Sequence, residues 1–368
     1  MPSPAAPGRR VTAAMVAERA GTSIATVSLV VNGKDRGRVS VPIATRVRDA
    51  VAELGYVVDH AASSLARGSG DLVVFIAPDL SNPFFAEVIR GVRDTLGDRF
   101  QLVLSVTERG AQPDAADVRR FERLRPAGIL VDAPAAGEPM SASVPVVLLD
   151  APDSPAGPDG PDGTRGPDGT GGSAGSGGSA DSVGSVGPDG SDAVNYDLSP
   201  GIDDLVAHLA EQGHRRVGYL DGTSRATTFR VRRELFEAAC DSAGIAVSNV
   251  TARADLTVEA AASATEHVIE AWQDDEVTAV VAAADTLAYG VLRVAGSLGI
   301  RVPEELAVAG FDDLPSSSVT APALTSVALP GADLGRAAAL HLLAKLDGTA
   351  AEPVALPARL VRRASTGA

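Results

Sequence analysis

The sequence predicts an N-terminal all-α helix-turn-helix headpiece followed by an α/β body of two lobes with parallel sheets. Three observations predict it. The charge is split: residues 1–70 hold nine Lys and Arg against five Asp and Glu, while the rest of the 368-residue chain holds 23 against 42. In the first sixty residues, short apolar-periodic segments are punctuated by Thr, Ser and Gly in the manner of helix caps. Beyond residue 70, β-rich runs such as "LVVFIAP" and "AGILVDA" alternate with amphipathic ones such as "FAEVIRGVRDTL". That alternation marks a parallel sheet with helices on both faces.

Thr12 is placed to cap a first helix with Val16, Ala17 and Ala20 on one face, and Gly21 supplies the break. Ser23 caps a second helix that stops at Asn32-Gly33. A third begins after Ser40, turns Val47, Val51 and Leu54 inward, and stops at Gly55. Two short helices across a glycine-containing turn describe a helix-turn-helix. At about 100° per residue, Val27, Val30 and Val31 share the side that packs on the first helix. Ala25 and Leu29 then point away, flanked by Thr26 and Ser28, with Ile24 between the two faces. An outward leucine is ordinary by itself. Beside Lys34, Arg36, Arg38, Arg46 and Arg48 it gains a second meaning, because such a face enters the major groove, where the thymine methyl is the apolar feature. Leu29 and Ala25 would read methyls, while Ser23, Thr26, Ser28 and Asn32 would bond phosphates or base edges. Arg46 and Arg48 are the expected phosphate contacts.

The stretch "VTAAMVAERAGTSIATVSLVVNG…RVS…TRVRDAVAELGYVVDHAASSLARG" resembles the headpiece of the lactose-repressor/galactose-repressor (LacI/GalR) transcriptional regulators over residues 11–68. The resemblance implies that Ile24, Ala25 and Leu29 hold base-reading positions and that Thr12 joins the DNA contacts. The family often has a polar or arginine side chain at the third of these, so Leu29 departs from it. The segment "DHAASSLARG" is too short to hold a helix alone in water. Its family counterpart folds into a hinge helix on DNA and inserts a leucine into the minor groove. Leu65 matches that leucine and Ala62 the small residue beside it; apolar wedges of this kind kink a duplex.

In the body, strand ends read Asp79, Asp150, Asp221, Asp285 and Asp312. Ligands of open α/β sheets sit at such ends, and an Asp there serves equally as a helix cap. The resemblance continues through "SNPFFAEVIRGV", "HLAEQGHRRVGYLDG", "AVVAAADTLAYGVLRVAGSLGIRVPEELAVAGFDD", "APALTSV" and "ARLVRRAST". It implies a periplasmic-binding-protein-like body with an effector in the interlobe cleft. Matched by position, the pocket residues are Asp79 with Phe84 and Phe85, Asp150, Arg232 in "RVRRELF" and Asp312 in "GFDD", with Asp285 close by. Leu235, Ala284 and Leu256 stand where the family usually or often has glycine, asparagine and an aromatic. Phe84 and Phe85 suit a core equally well, and Arg232 a solvated helix face. An aromatic wall with several carboxylates suits a neutral polyhydroxylated ring, so a sugar is favoured over a purine or other metabolite.

The expected divisions are a disordered N-terminus (1–10), the headpiece (11–58), a hinge (59–70), the two-lobed body (71–363) and a tail (364–368). Lobe 1 takes about 71–196 and 328–352, and lobe 2 about 197–327 and 353–363. Residues 152–192 repeat Gly-Pro-Asp-Gly and have almost no long apolar side chain, so they are expected to be a disordered loop within lobe 1.

Other chemistries find no support. No run of eighteen apolar residues suggests a membrane span, and no apolar block follows the N-terminal arginines as in a secretory signal. The five histidines lack metal-ligand spacing, no phosphate-binding glycine loop follows the first strand, and "GGSAG" (171–175) lies in glycine-serine repeats rather than between strand and helix. The lone Cys240 fits a reducing cytoplasm. The expected protein is a non-enzymatic, cytoplasmic, nucleoid-associated homodimer without cofactor or metal. It would read a pseudo-palindromic DNA operator, most simply as a repressor of carbohydrate genes, and be switched by a small sugar. The alternatives are an exported-type sugar-binding protein of transport, or a regulator answering to a purine or nucleoside.

Overall fold

The computed structural model describes all residues except 1–10, 32, 57–69, 81, 108–110, 136–139, 141, 153–191, 225 and 368. Asn32, the hinge with Ala62 and Leu65, the N-terminal ten residues and all but the two ends of the 152–192 insert therefore lie outside the described residues. The chain divides into two compact units, Met1–Gly70 and Asp71–Ala368.

In the first unit, α1 (Ala13–Ala20) starts at Thr12, whose hydroxyl accepts from the Met15 N–H, and stops at Gly21 in the left-handed region, φ 63°. Helix α2 (Ile24–Val31) leaves α1 at 101°, within the range of helix-turn-helix pairs. Helix α3 (Val41–Leu54) follows, with Pro42 in its first turn and Gly55 at its end. Ser40 stands at its N-cap without making a side-chain cap bond. Val16, Ala17, Ala20, Val27, Val30 and Val47 make the buried centre, with Val31, Val51 and Leu54 packed against it. This core belongs to the headpiece alone.

The second unit holds two sheets. The first runs β12-β5-β4-β3-β1-β2, made of β1 (Leu72–Ala77), β2 (Gln101–Val106), β3 (Gly128–Asp132), β4 (Val146–Leu149), β5 (Ala193–Asp197) and β12 (Val354–Pro357). All its pairings are parallel. The second runs β13-β11-β10-β9-β6-β7 with β8 also on β6. Its members are β6 (Arg216–Gly222), β7 (Ala246–Val247), β8 (Ala252–Ala254), β9 (Ala279–Ala282), β10 (Ala307–Asp312), β11 (Thr325–Ala328) and β13 (Arg359–Val361). Only β13 is antiparallel, on β11. Every central strand is buried nearly end to end, as strands covered on both faces must be.

Helices α4 (Phe84–Leu96), α5 (Ala115–Glu122) and α10 (Gly331–Leu346) follow or precede strands of the first sheet. Helices α6 (Ser199–Glu211), α7 (Thr227–Ala243), α8 (Val258–Asp274) and α9 (Asp285–Leu298) lie within the span of the second. Two expected boundaries move. Residues 353–357 were placed in lobe 2, but β12 pairs with β5 from Val354↔Val194 to Pro357↔Asp197, so the return crossing follows Pro357. Residues 364–368 were expected to be a tail, but Ala364–Thr366 form a 3-10 turn whose Ser365 and Thr366 are buried. The Ser365 hydroxyl donates to the Val308 carbonyl and accepts from Thr325 N–H, while the Thr366 hydroxyl meets His208 Nε2 at 2.8 Å. Cys240 is buried, and burial pushes its thiol up to about 12.

Candidate functional site

On the headpiece, the outer face of α2 carries the residues expected to meet DNA. Ile24 (55 % exposed) is its most prominent apolar side chain; Ala25 and Ser28 are exposed, and Leu29 is half-buried. Leu29 thus points outward less fully than a helical wheel implies. The Ser23 hydroxyl accepts from the Thr26 N–H at 3.2 Å and lies 2.9 Å from the Thr26 hydroxyl, so both side chains help to cap α2. Thr12 caps α1 in the same way. Arg46 is exposed on α3, whereas Arg48 is engaged by Asp35 at 2.5 Å. Arg48 is therefore part-neutralised, unlike the open phosphate contact expected.

In the body, a cavity of about 330 Å³ opens where the carboxyl ends of strands from both sheets meet. The first sheet contributes Asp79 after β1, Asp132 ending β3 and Asp150 after β4, with Phe84 and Phe85 from the start of α4. The second contributes Ser224, Thr228, Phe229 and Arg232 around the start of α7, Asp255 after β8 and Asp312 ending β10. Gln112 from the first lobe donates from Nε2 to the Ser224 hydroxyl of the second at 2.9 Å, bridging the cavity. Backbone strain gathers here. Ala133, Asp150 and Asp312 all have positive φ (43°, 50° and 100°), a conformation that costs non-glycine residues energy and concentrates at functional sites.

Six of the seven pocket residues expected from sequence line this cavity. Phe84 and Phe85 are also core, each 8 % exposed, with ring centroids 5.7 Å apart in an edge-on pair. Arg232 is buried rather than solvated. Its Nη1 donates to the Ala283 carbonyl and lies 3.7 Å from Asp312 Oδ1. Its guanidinium sits 4.7 Å from the Phe311 ring centroid and 5.3 Å from that of Phe229.

Asp285 is the exception and does not reach the cavity. Its carboxylate accepts from the Leu314 N–H at 2.8 Å and from the Ser317 and Ser326 hydroxyls at 2.5 and 2.6 Å. It ties the start of α9 to the loops after β10 and to β11, so it is a structural clasp. Asp221 is similarly occupied, accepting from the Gly222 N–H and facing Arg233 and Arg253 at 3.3 and 3.6 Å. Conversely, Asp132, Asn82, Gln112, Thr228, Phe229 and Asp255 line the cavity without having been singled out. Asp132 ends "AGILVD" with the same strand-end pattern that marks Asp150, which is the signal that finds it.

Burial raises the proton affinity of these acids. Burial pushes Asp312 up to about 8, against the pull of Arg232, and Asp285 up to about 6, against its hydrogen bonds. Burial also raises Asp150, and raises Asp132 well above the carboxylate range, with Asp150 adding repulsion. A raised folded-state value means that the folded chain holds protons which the unfolded chain releases near pH ~4, so stability falls as pH rises through the window between them. Unfolding by denaturant should therefore show the body losing stability from about pH 4 up to about pH 8 through Asp312, and up to about pH 6 through Asp285, by up to about 1.4 kcal/mol per unit for each of the two. Asp312→Asn should flatten the upper half of that decline. A profile that rises over this range would mean that these acids are ionised in the folded cleft.

Comparison with known proteins converges on one family. The family model for bacterial regulatory proteins of the lacI family matches residues 12–59, and that for a periplasmic binding protein-like domain matches residues 206–366. The HTH-type transcriptional regulator CelR of Thermobifida fusca is 30 % identical over 356 residues, covering 95 % of both chains. The solved CelR–cellobiose complex is 26 % identical with a TM-score of 0.62, over 97 % of this chain and 100 % of that one. The Lac repressor dimer bound to operator and the anti-inducer ONPF has the same fold, with a TM-score of 0.74 at 23 % identity over 98 % of this chain and 100 % of that one. With a helix-turn-helix at one end and a two-sheet ligand-type body at the other, the chain belongs to the lacI family of bacterial regulatory proteins.

Proposed function

We propose that this regulator represses genes of carbohydrate use by binding an operator through the α2 face, and that a sugar in the interlobe cavity alters that binding. The observation that carries the reading is the cavity itself. Both lobes build it, it joins an aromatic wall to several buried polar atoms, and Gln112 and Ser224 already bridge it. Sugars present an apolar ring face and a rim of hydroxyls, which match those two surfaces. The CelR–cellobiose complex, on the same fold, supports a sugar class; the Lac repressor dimer on operator supports a homodimer on pseudo-palindromic DNA. No single described helix is long and apolar enough to cross a membrane. A gel shift against genomic fragments, with and without a sugar panel, tests the reading. A shift that no sugar alters but a nucleoside does would replace the effector class.

The DNA contacts separate by their response to sequence. Leu29→Ala should weaken the cognate operator by about 1–3 kcal/mol and leave random DNA nearly unchanged, and uracil in place of the contacted thymine should mimic it. Arg46→Ala should weaken all sequences and reduce the salt slope by about 0.9. Arg48→Ala should reduce it less, because Asp35 already occupies that guanidinium. Equal loss on specific and random DNA for Leu29→Ala would assign Leu29, half-buried as it is, to the fold alone.

A further inference from the structure

Among the described residues, the cleft gathers more acidic side chains than cations. Asp132 is 1 % exposed, and its Oδ1 meets no hydrogen-bond partner among the described residues. Asp150 (9 % exposed) stands beside it on the next strand, and Asp312 (8 % exposed) faces them from the other lobe. Among the described residues, a single buried guanidinium, Arg232, stands against these three. It is already shared between the Ala283 carbonyl and Asp312. Asp79 and Asp255 add the same sign nearer the solvent. A buried carboxylate without a counter-charge or a donor is costly, so the arrangement is incomplete until something supplies both.

A neutral hydroxyl supplies a donor and no charge. An ammonium supplies three donors and a full positive charge. Phe84, Phe85 and Phe229 line the same cavity, and ring faces attract cations. A metal ion is the other candidate cation, but among the described residues no group of three or more His, Cys, Asp or Glu is arranged to hold one.

We propose that the effector is a sugar bearing a protonated amino group, with its ammonium held by Asp132 and Asp150 at the floor of the cleft. This rests on the sugar reading above and corrects its charge. The neutral ring expected from sequence was argued from Asp79, Asp150 and Asp312 with Asp285 close by; the structure takes Asp285 out of the cavity and puts the deeply buried Asp132 into it. The charged groups lining the cavity around the ammonium are Asp132, Asp150 and Asp79 from the first sheet and Asp312, Arg232 and Asp255 from the second lobe, with the buried Tyr196 hydroxyl of β5, unpartnered among the described residues, within electrostatic reach of Asp132, Asp150 and Asp312. Burial raises Asp132 and Asp150 above the usual carboxylate range, and an ammonium between them favours their ionised forms, so binding draws protons out and tightens as pH rises, until the amine loses its own.

Titration calorimetry of the full chain tests this, with glucosamine, galactosamine and mannosamine each set against its neutral parent and its N-acetyl derivative. At least one amine should bind about tenfold or more tightly than both its analogues, as close charge pairs at desolvated sites do. Its heat should depend on the buffer's ionisation enthalpy in the direction of proton release. Asp132→Asn should erase the preference for the amine while weak binding of the neutral parent persists. Equal or tighter binding of a neutral or acetylated sugar overturns the proposal and leaves the sugar reading standing. Binding of a nucleoside, with no sugar of either kind bound, overturns both. Because the wild-type panel already decides, a poorly folding Asp132→Asn variant does not blunt the test.

Discussion

Gly335→Leu should unfold the first lobe at temperatures the native chain withstands. A Cβ on Gly335 of α10 would stand 2.0 Å from the Val88 carbonyl oxygen of α4, and one on Gly91 of α4 would stand 2.0 Å from the Ala332 carbonyl oxygen of α10. In both cases the obstacle is backbone, which cannot swing aside. The helices would have to separate, and Val88, Val92, Leu334, Ala338 and Leu342, all fully buried, would lose their packing. Overpacking of this kind costs about 1–3 kcal/mol when side chains can adjust, and more when helices must move. A loss above about 3 kcal/mol is expected, which is a fall in melting temperature of about 2–4 °C for each kcal/mol in a body of this size. Gly296→Ala is the control. Gly296 lies in α9, takes no positive φ and has nothing within 4 Å of its would-be Cβ. The same class of change should stabilise there by about 0.4–1 kcal/mol through the unfolded chain. Calorimetric unfolding of the two variants should move in opposite directions. A silent Gly335→Leu would mean that α4 and α10 do not pack as closely as their glycines imply.

Neither glycine contact was legible in the sequence, because nothing in a helix's own periodicity says which turn its neighbour will cross. What was legible depended on local physics. Thr12, Gly21, Ser23 and Gly55 announced the headpiece helices because capping is decided by a residue and its next few neighbours. The strand-end aspartates announced the cleft for a similar reason: strand length and direction fix where a parallel sheet presents its ends. The pattern could not say which of those acids would stay available. Asp285 and Asp150 look alike in sequence, yet Asp285 is consumed by Ser317, Ser326 and the Leu314 N–H, groups 29 to 41 residues away. Its role depends on how the 3-10 turn Pro315–Ser318 brings Ser317 to the start of α9, which is a tertiary matter. The short β12 was misplaced because an exposed, alternating strand at a sheet edge carries little burial signal. Leu29 shows the limit of the helical wheel, which ranks directions on an isolated cylinder and does not see what neighbouring segments cover.

Arg232→Met should abolish the effector response while leaving operator recognition intact. Arg232 is the one cation lining the cavity among the described residues, 3 % exposed and set between the rings of Phe229 and Phe311. Methionine keeps much of the stem that packs between those rings and removes the charge, so lost packing is a minor part of the change. Two consequences follow. The ligand loses the donors of the guanidinium, including Nε, which is buried without a hydrogen-bond partner among the described residues. Asp312, 3.7 Å away, loses its nearest cation among the described residues, and leaving one partner of a buried pair alone destabilises the fold. Part of any lost response could therefore come from a loosened second lobe, and a further variant separates the causes. Arg232→Met combined with Asp312→Leu removes both charges, and replacing both partners of a buried pair by apolar groups is often neutral. The double variant should regain most of the native melting temperature yet still ignore the effector, because neither polar group remains. The headpiece has its own core of Val16, Val27, Val30 and Val47 within Met1–Gly70, so operator affinity without ligand should stay within about twofold of native in both variants, a difference of under ~0.5 kcal/mol. Recovery of the response along with stability in the double variant would show that Arg232 and Asp312 hold the lobe together rather than the ligand.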